Sequence, residues 1–346
     1  MSWKTVKLSE CCVSIADGDH LPPPKAESGI PFVTISNINA MNQIDFTNTM
    51  FVPQEYYDRL DSKRKAQVGD VLYSVVGSFG IPVYIKENQK FVFQRHIAIL
   101  RSNGKILPRF LYYTMLSRDF YAKADAAAIG AAQRTLSLTA LRNIEIDIPT
   151  IEEQNKIVDI LSAYDDLIEN NKKQIKLMEE AAQRLYKEWF VDLRFPGHEN
   201  TPIVDGVPKG WRKISLGDIA PIITGKKDAN FGTKDGAYPF FTCSQEPIKS
   251  PSYSFDTSAI ILAGNGDFNV KLYRGKFEAY QRTYVLSPIE EKYLYLLYNA
   301  VNENMAVLVK GASGSTIKFL TKGMIENIPL FTPTDELLAQ YNNCSE

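Results

Sequence analysis

"EIDIPTIEEQNKIVDIL", residues Glu145 to Leu161, decides how this chain is built. A strand-like run ends in Ile148-Pro149. Thr150 and Glu153 then form a T-x-x-E capping box, which predicts a helix start. From there apolar residues recur at alternating spacings of four and three: Ile157, Leu161, Tyr164, Ile168, Ile175, Met178, Ala182, Leu185 and Trp189, with Asn171 filling the one gap. That is a heptad seam, with a polar residue of the kind that sets register. The spacing predicts a helix from Ile151 to Arg194, ended by Pro196-Gly197. A helix of ~40 residues is about 60 Å long, more than one small domain can cover. The ten seam positions are therefore expected to face a partner helix. The plainer alternative is an amphipathic helix packed on its own domain.

The same grammar returns in "ENIPLFTPTDELLAQYNNCSE", residues Glu326 to Glu346. A strand-like run is expected to end in Ile328-Pro329. Thr332-Pro333-Thr334-Asp335 reads as a helix start, with Leu337, Leu338 and Tyr341 on it. The second helix is expected to be a truncated copy of the first. More of the chain repeats. Trp3 and Leu8 match Trp211 and Leu216, and "IPFVTIS" from Ile30 matches "YPFFTCS" from Tyr238, all 208 positions apart. "FVFQRHIAIL" from Phe91 matches "FEAYQRTYVL" from Phe277, which pairs Gln94-Arg95 with Gln281-Arg282 at an offset of 187. "GAAQRTLSLTALRNIEIDIP" from Gly130 matches "GASGSTIKFLTKGMIENIP" from Gly311, near an offset of 181. Preserved order with a drifting offset means one scaffold with different loop lengths. The strand-like runs "GDVLYSVV", "PVYIKE" and "SAIILAGNG", with "PRFLYYTMLSRDFYAKADAAA" as helix, make each half α+β. The expected division is 1–148, the long helix over 149–197, a second domain over 198–328, and the start of a second helix over 329–346.

The 346 residues suit two or three domains, and 45% hydrophobic residues supply a core for each. No apolar run reaches about 18 residues, so no membrane span is expected. The four cysteines form no framework, and the first residues carry no signal-peptide pattern, which together predict a reduced cytoplasm. The net charge of -1 counts against a simple nucleic-acid binder without excluding basic patches.

This layout resembles the specificity subunit of type I restriction–modification systems. The resemblance is carried by "GDVLYSVVGSFG" from Gly69, "QRTLSLTALRNIEIDIPTIEEQNKIVDILSAYDDLI" from Gln133 and "AAQRLYKEWF" from Ala181. It implies two target recognition domains in tandem, joined by a long coiled-coil helix, each reading half of a split double-stranded DNA site. It implies that the spacer helices dock methyltransferase subunits, which use S-adenosylmethionine to methylate adenine, and that a restriction subunit driven by ATP, with magnesium, joins the complex. The chain itself would be non-catalytic and hold no cofactor. A spacer of ~50–60 Å suits half-sites about 15 base pairs apart. The shortened second helix leaves room for a second copy, or a fragment, to complete the coiled coil.

DNA contact is expected from basic and amide residues on loops. The candidates are Lys63, Arg64 and Lys65; Gly77 and Ser78; Arg95; Gln133 and Arg134; Lys226 and Lys227; Gly264 and Asn265; Arg282; and Ser315 and Lys318. The plain alternatives are a solvated charge run for the lysines, core-edge ion pairs for Arg95 and Arg282, and ordinary turns for the glycines. Signals for chemistry are weak. "GNGDFN" is a lone G-x-G, no P-loop and no N-P-P-[YF] or D-P-P-[YF] occurs, and His20, His96 and His198 lack metal-ligand spacing. The rival readings are a stand-alone DNA-modifying enzyme and a coiled-coil structural scaffold.

Overall fold

The computed structural model describes residues 3–20, 23–39, 41–130, 133–314 and 316–346. The chain divides into two compact units, Met1–Glu169 and Asn170–Glu346.

In the first unit, alternating apolar residues build a four-stranded antiparallel sheet in the order Cys12–Asp17, Ile97–Ser102, Val71–Ser74, Pro82–Tyr84. Val71, Leu72, Tyr73 and Ile97 to Leu100 are almost wholly buried, because both faces of these central strands are covered. One face packs on the helices Pro108–Leu116, Arg118–Ala127 and Leu138–Asn143 through Phe110, Leu111, Phe120 and Leu141. The other face closes over Val33, Phe91 and Phe93. A second sheet orders Met50–Val52, Ile30–Val33 and Val92–Phe93. Lys4–Lys7 and Glu145–Ile148 pair antiparallel and tie the two ends of the unit together.

The second unit repeats this plan. Its six-stranded sheet runs Ile222–Thr224, Thr283–Leu286, Phe255–Ala263, Val270–Ala279, Tyr238–Phe241, Ile248–Ser250. The ten-residue strand Val270–Ala279 does the work that Pro82–Tyr84 and Val92–Phe93 share in the first unit, where the chain leaves the sheet between them. Arg212–Ser215 pairs with Pro329–Thr332 as Lys4–Lys7 does with Glu145–Ile148.

The registers correct three sequence expectations. The first is the pairing of Gln94-Arg95 with Gln281-Arg282. Arg95 N donates to Asp19 O, and the counterpart bond runs from Gln281 N to Lys227 O. Arg95 is therefore equivalent to Gln281, and Arg282 to His96. The shared Gln-Arg letters are one position out of step. The second is the strand said to end in Ile328-Pro329. The strand begins at Pro329, and its equivalent of Ile148 is Thr332. Thr334, not Thr332, caps the final helix Asp335–Ser345, accepting from Leu337 N. The third is the single helix over Pro108 to Ala128. It is two helices, because Ser117 closes the first and its Oγ accepts from Phe120 N to start the second.

The long helix spans Ile151–Tyr186 and widens into a π turn over Lys187–Val191. Its capping box is formed: Thr150 N donates to Glu153 Oε2 at 3.1 Å and Glu153 N to Thr150 Oγ1 at 3.3 Å. Replacing Thr150 by alanine is expected to cost about 1 kcal/mol, measured by urea unfolding.

The seam is not uniform. Ile157 packs on the first unit's core, and Leu185 and Trp189 on the second's. Those three positions are satisfied within their own units and need no outside helix. Leu161, Tyr164, Ile168, Ile175 and Met178 are exposed, as is Asn171, with Ala182 half-exposed beyond them. On the first unit the helix is held by polar contacts. Tyr113 Oη donates to Asp165 at 2.7 Å, Arg109 pairs with Asp166 at 3.4 Å, and Lys86 pairs with Glu169.

Candidate nucleic-acid interface

In each unit the sequence-predicted site residues come from distant segments, and backbone hydrogen bonds bring them to one end of the sheet. In the first unit the run Phe91 to Leu100 is not one strand. It breaks at Gln94–His96, which lifts Arg95 onto a turn between Val92–Phe93 and Ile97–Ser102. Val75 N donates to His96 O, and Leu136 N to Val75 O. Val76 bridges Thr135, and Gly77 N donates to Arg134 O. Gly77, Ser78, Arg95, Gln133 and Arg134 thus share one rim. Gly77 has a φ of +80°, a turn conformation that glycine adopts without strain.

The second unit makes the same bonds. Gly264 N donates to Arg282 O, Leu320 N to Gly264 O, and Asn265 bridges Phe319. Gly264, Asn265, Arg282 and Lys318 meet there. Gly266 matches Gly77, with a φ of +68°. Cys243 Sγ contacts Asn265 Oδ1 at 3.0 Å, which adds the loop after Tyr238–Phe241 to the same rim. Ser315 lies outside the described residues.

The other basic candidates approach through one residue in each unit. Arg64 stands 3.7 Å from Asp19 and 3.6 Å from Asp17, and Asp19 O accepts from Arg95 N. Lys63 and Lys65 flank Arg64, and Lys65 Nζ caps Asp58 O and stands over the Tyr57 ring at 5.1 Å. Lys227 bridges Tyr280 and stands over Phe231 at 4.5 Å, and Lys226 beside it is exposed.

The charges differ in availability. Arg134 is held by Asp125, with Nε–Oδ1 at 3.0 Å. Arg95 and Arg282 are exposed and form no ion pair with any described residue. The core-edge ion pair that would have explained them is thus absent among the described residues. A free guanidinium on a protruding turn can fork onto a guanine edge or a phosphate. Near it, burial and the hydrogen bond to Asp19 push the Tyr56 hydroxyl up to about 12, so it stays protonated and donating. Burial, with the neighbouring Arg95 charge, lowers the His96 imidazole, which favours its neutral form.

Sequence reasoning missed an open cleft of about 450 Å³ beside Arg95, with Asp19, His20, Thr34 and Gln94 around a floor of Phe32. Its walls come from several separate segments, so no local pattern marked it. Among the described residues no cluster of histidine, cysteine and carboxylate side chains could hold a metal ion. No helix there is long and apolar enough to cross a membrane.

The chain is thus a tandem repeat of one α+β scaffold with a long helix between the copies, and each copy gathers its loops at one end of its sheet. The family model for the type I restriction modification DNA specificity domain matches residues 2–180 and 208–338, and the chain belongs to that family. It is 44% identical over 128 residues to the type I restriction enzyme EcoDI specificity subunit of Escherichia coli, covering 37% of this chain and 29% of that one. It is 26% identical over 266 residues to the MjaIX specificity subunit of Methanocaldococcus jannaschii, covering 69% of this chain and 61% of that one. The chain thus spans less than two thirds of these relatives. The fold matches the crystal structure of the S subunit of a type I restriction–modification system from M. genitalium, with a TM-score of 0.58 at 16% identity, over 99% of this chain and 88% of that one.

Proposed function

We propose that this chain is the non-catalytic DNA-reading subunit of a type I restriction–modification complex and recognises a split double-stranded site, one half with each unit. The observation that carries this is the duplicated rim. The same hydrogen bonds gather the same three loops in both units, yet the residues displayed there differ, with Arg95 and Arg282 at non-equivalent positions. One scaffold with two unlike displays is what a two-part site requires. Phosphate contacts from Lys63, Arg64, Lys226 and Lys318 would position the duplex, and base-edge contacts from the rims would choose it.

Methyltransferase subunits would dock on the long helix, where Leu161, Tyr164, Ile168, Ile175 and Met178 leave apolar surface open. A second copy of the chain, or a fragment, is the other partner that would cover this seam. S-adenosylmethionine would enter with the methyltransferase, and ATP and magnesium with a restriction subunit, all in the cytoplasm. The base to be methylated must leave the duplex stack, and that act belongs to the methyltransferase.

The test is a titration of the purified chain, with its methyltransferase, against duplex DNA over a range of salt. The expected result is binding that weakens linearly in log salt, with a tight sequence-dependent component above a weaker non-specific one. Salt-dependent binding with no sequence preference would overturn the reading.

A further inference from the structure

The two units can be superposed by their hydrogen bonds alone, and this separates residues kept for folding from residues free to differ. Gln94 N donates to Val33 O as Tyr280 N does to Phe241 O, and Arg95 N to Asp19 O as Gln281 N does to Lys227 O. The parallel bridges Asp19–Gln94 and Lys227–Tyr280 complete the match. Around this frame some residues are the same in both units, Phe32 and Phe240, Thr34 and Thr242, Gly18 and Gly225, while other buried pairs such as Val33 and Phe241 or Phe93 and Ala279 stay apolar but change size. The glycines have a steric reason. A Cβ on Gly18 would sit 2.2 Å from Phe93 O, and one on Gly225 would sit 2.0 Å from Ala279 O.

The polar positions on the same frame, from buried Asp19 and half-buried Gln94 to exposed Arg95, change chemistry. Asp19 is replaced by Lys227, His20 by Asp228, Gln94 by Tyr280 and Arg95 by Gln281. An acid stands where the other unit has a base, and a cation where it has an amide. Identical backbone with unlike side chains means that folding does not dictate these identities. Some of them have partners of their own. Asp19 accepts from Tyr56, and His20 contacts Asp17 at 2.6 Å. Gln281 Nε2 donates to Asp228 at 2.7 Å. Gln94 and Arg95 line the cleft together with Phe32, and Arg95 forms no ion pair with a described residue.

We infer that Gln94-Arg95 in the first unit and Tyr280-Gln281 in the second are the specificity-determining pairs, each choosing bases of its own half-site. This rests on the DNA-reading function proposed above. In the first unit the cleft beside the turn gives base edges a concave seat. Arg95 suits the O6 and N7 acceptors of guanine, and the Gln94 amide suits N6 and N7 of adenine. In the second unit a Gln281 amide, oriented by Asp228, replaces the guanidinium. The second half-site is therefore read by different donors from an equivalent place.

The experiment is to co-express the chain with its methyltransferase and map methylated adenines by sequencing. A wild-type complex that yields no two-part site defeats the functional reading itself, separately from this inference. Given such a site, the double variant Gln94→Tyr, Arg95→Gln is expected to alter the first half-site and leave the second unchanged. Preference at one or two adjacent base pairs should fall about tenfold to a hundredfold. An unchanged site in a complex that still methylates would overturn the inference. Should methylation be lost, competition binding of the Arg95→Gln complex against duplexes altered one base pair at a time gives the same reading. Equal weakening on every duplex would mark Arg95 as a phosphate contact and overturn it. Gln281→Ala, read on the second half-site alone, is the independent control.

Discussion

Tyr341→Ala is expected to cost about 4 kcal/mol, the usual scale for removing a fully buried aromatic side chain. Tyr341 is 0% exposed. Its ring meets Phe190 edge-on at 4.8 Å and Trp189 at 5.9 Å. Its hydroxyl accepts from Asn299 Nδ2 at 2.8 Å, and Asn299 is itself buried. The truncation would leave a cavity and take one of the two acceptors of Asn299 Nδ2, which keeps only its bond to Tyr295 O at 3.0 Å. The final helix Asp335–Ser345 is thus part of the second unit's core through Leu337, Leu338 and Tyr341. Urea unfolding of the variant against the wild type measures the loss. Tyr341→Phe, which keeps the ring and removes only the hydroxyl, is expected to lose about 1 to 2 kcal/mol.

Arg101→Met is expected to cost about 3 kcal/mol in the first unit. Asp70 is 2% exposed and accepts Arg101 Nε at 2.9 Å on one oxygen and Nη2 at 2.8 Å on the other. Asp70 Oδ2 also accepts from Gln67 N at 2.8 Å. Without the guanidinium, a buried carboxylate keeps only a backbone donor, and breaking such a pair from one side is costly. The third Arg101 hydrogen bond, Nη2 to Lys65 O at 3.0 Å, holds the segment that carries Lys63 and Arg64. Adding Asp70→Asn to Arg101→Met is expected to recover part of the stability, because it removes the stranded charge. A double-mutant cycle by chemical denaturation checks this, and strict additivity would contradict it.

Much of this architecture is legible in the sequence, and the reasons differ from element to element. The capping box at Thr150 and the helical spacing after it are local signals, and the box and the helix are both formed. The repeat is legible because packing residues such as Phe32 and Phe240 are held by the same core. The alignment of loops is not legible, since equal letters need not mean equal places. Gln94-Arg95 and Gln281-Arg282 look equivalent until the backbone bonds shift them by one. Ile328-Pro329 mimics Ile148-Pro149 for the same reason, while the strand pairing with Arg212–Ser215 places the true match four residues later. The break at Ser117 was hidden inside a run with continuous helical character. The cleft beside Arg95 was out of reach because its walls are brought together only by the tertiary fold.

Two unlike readers on one duplicated scaffold would each specify one block of the DNA site. The most direct measurement is the sequence pattern of methylated adenines in cells that carry this chain with its methyltransferase. The account predicts a split site, two short specified blocks separated by a fixed unspecified gap, with each block altered only by substitutions in one unit. A single uninterrupted site, or methylation with no pattern, would contradict it.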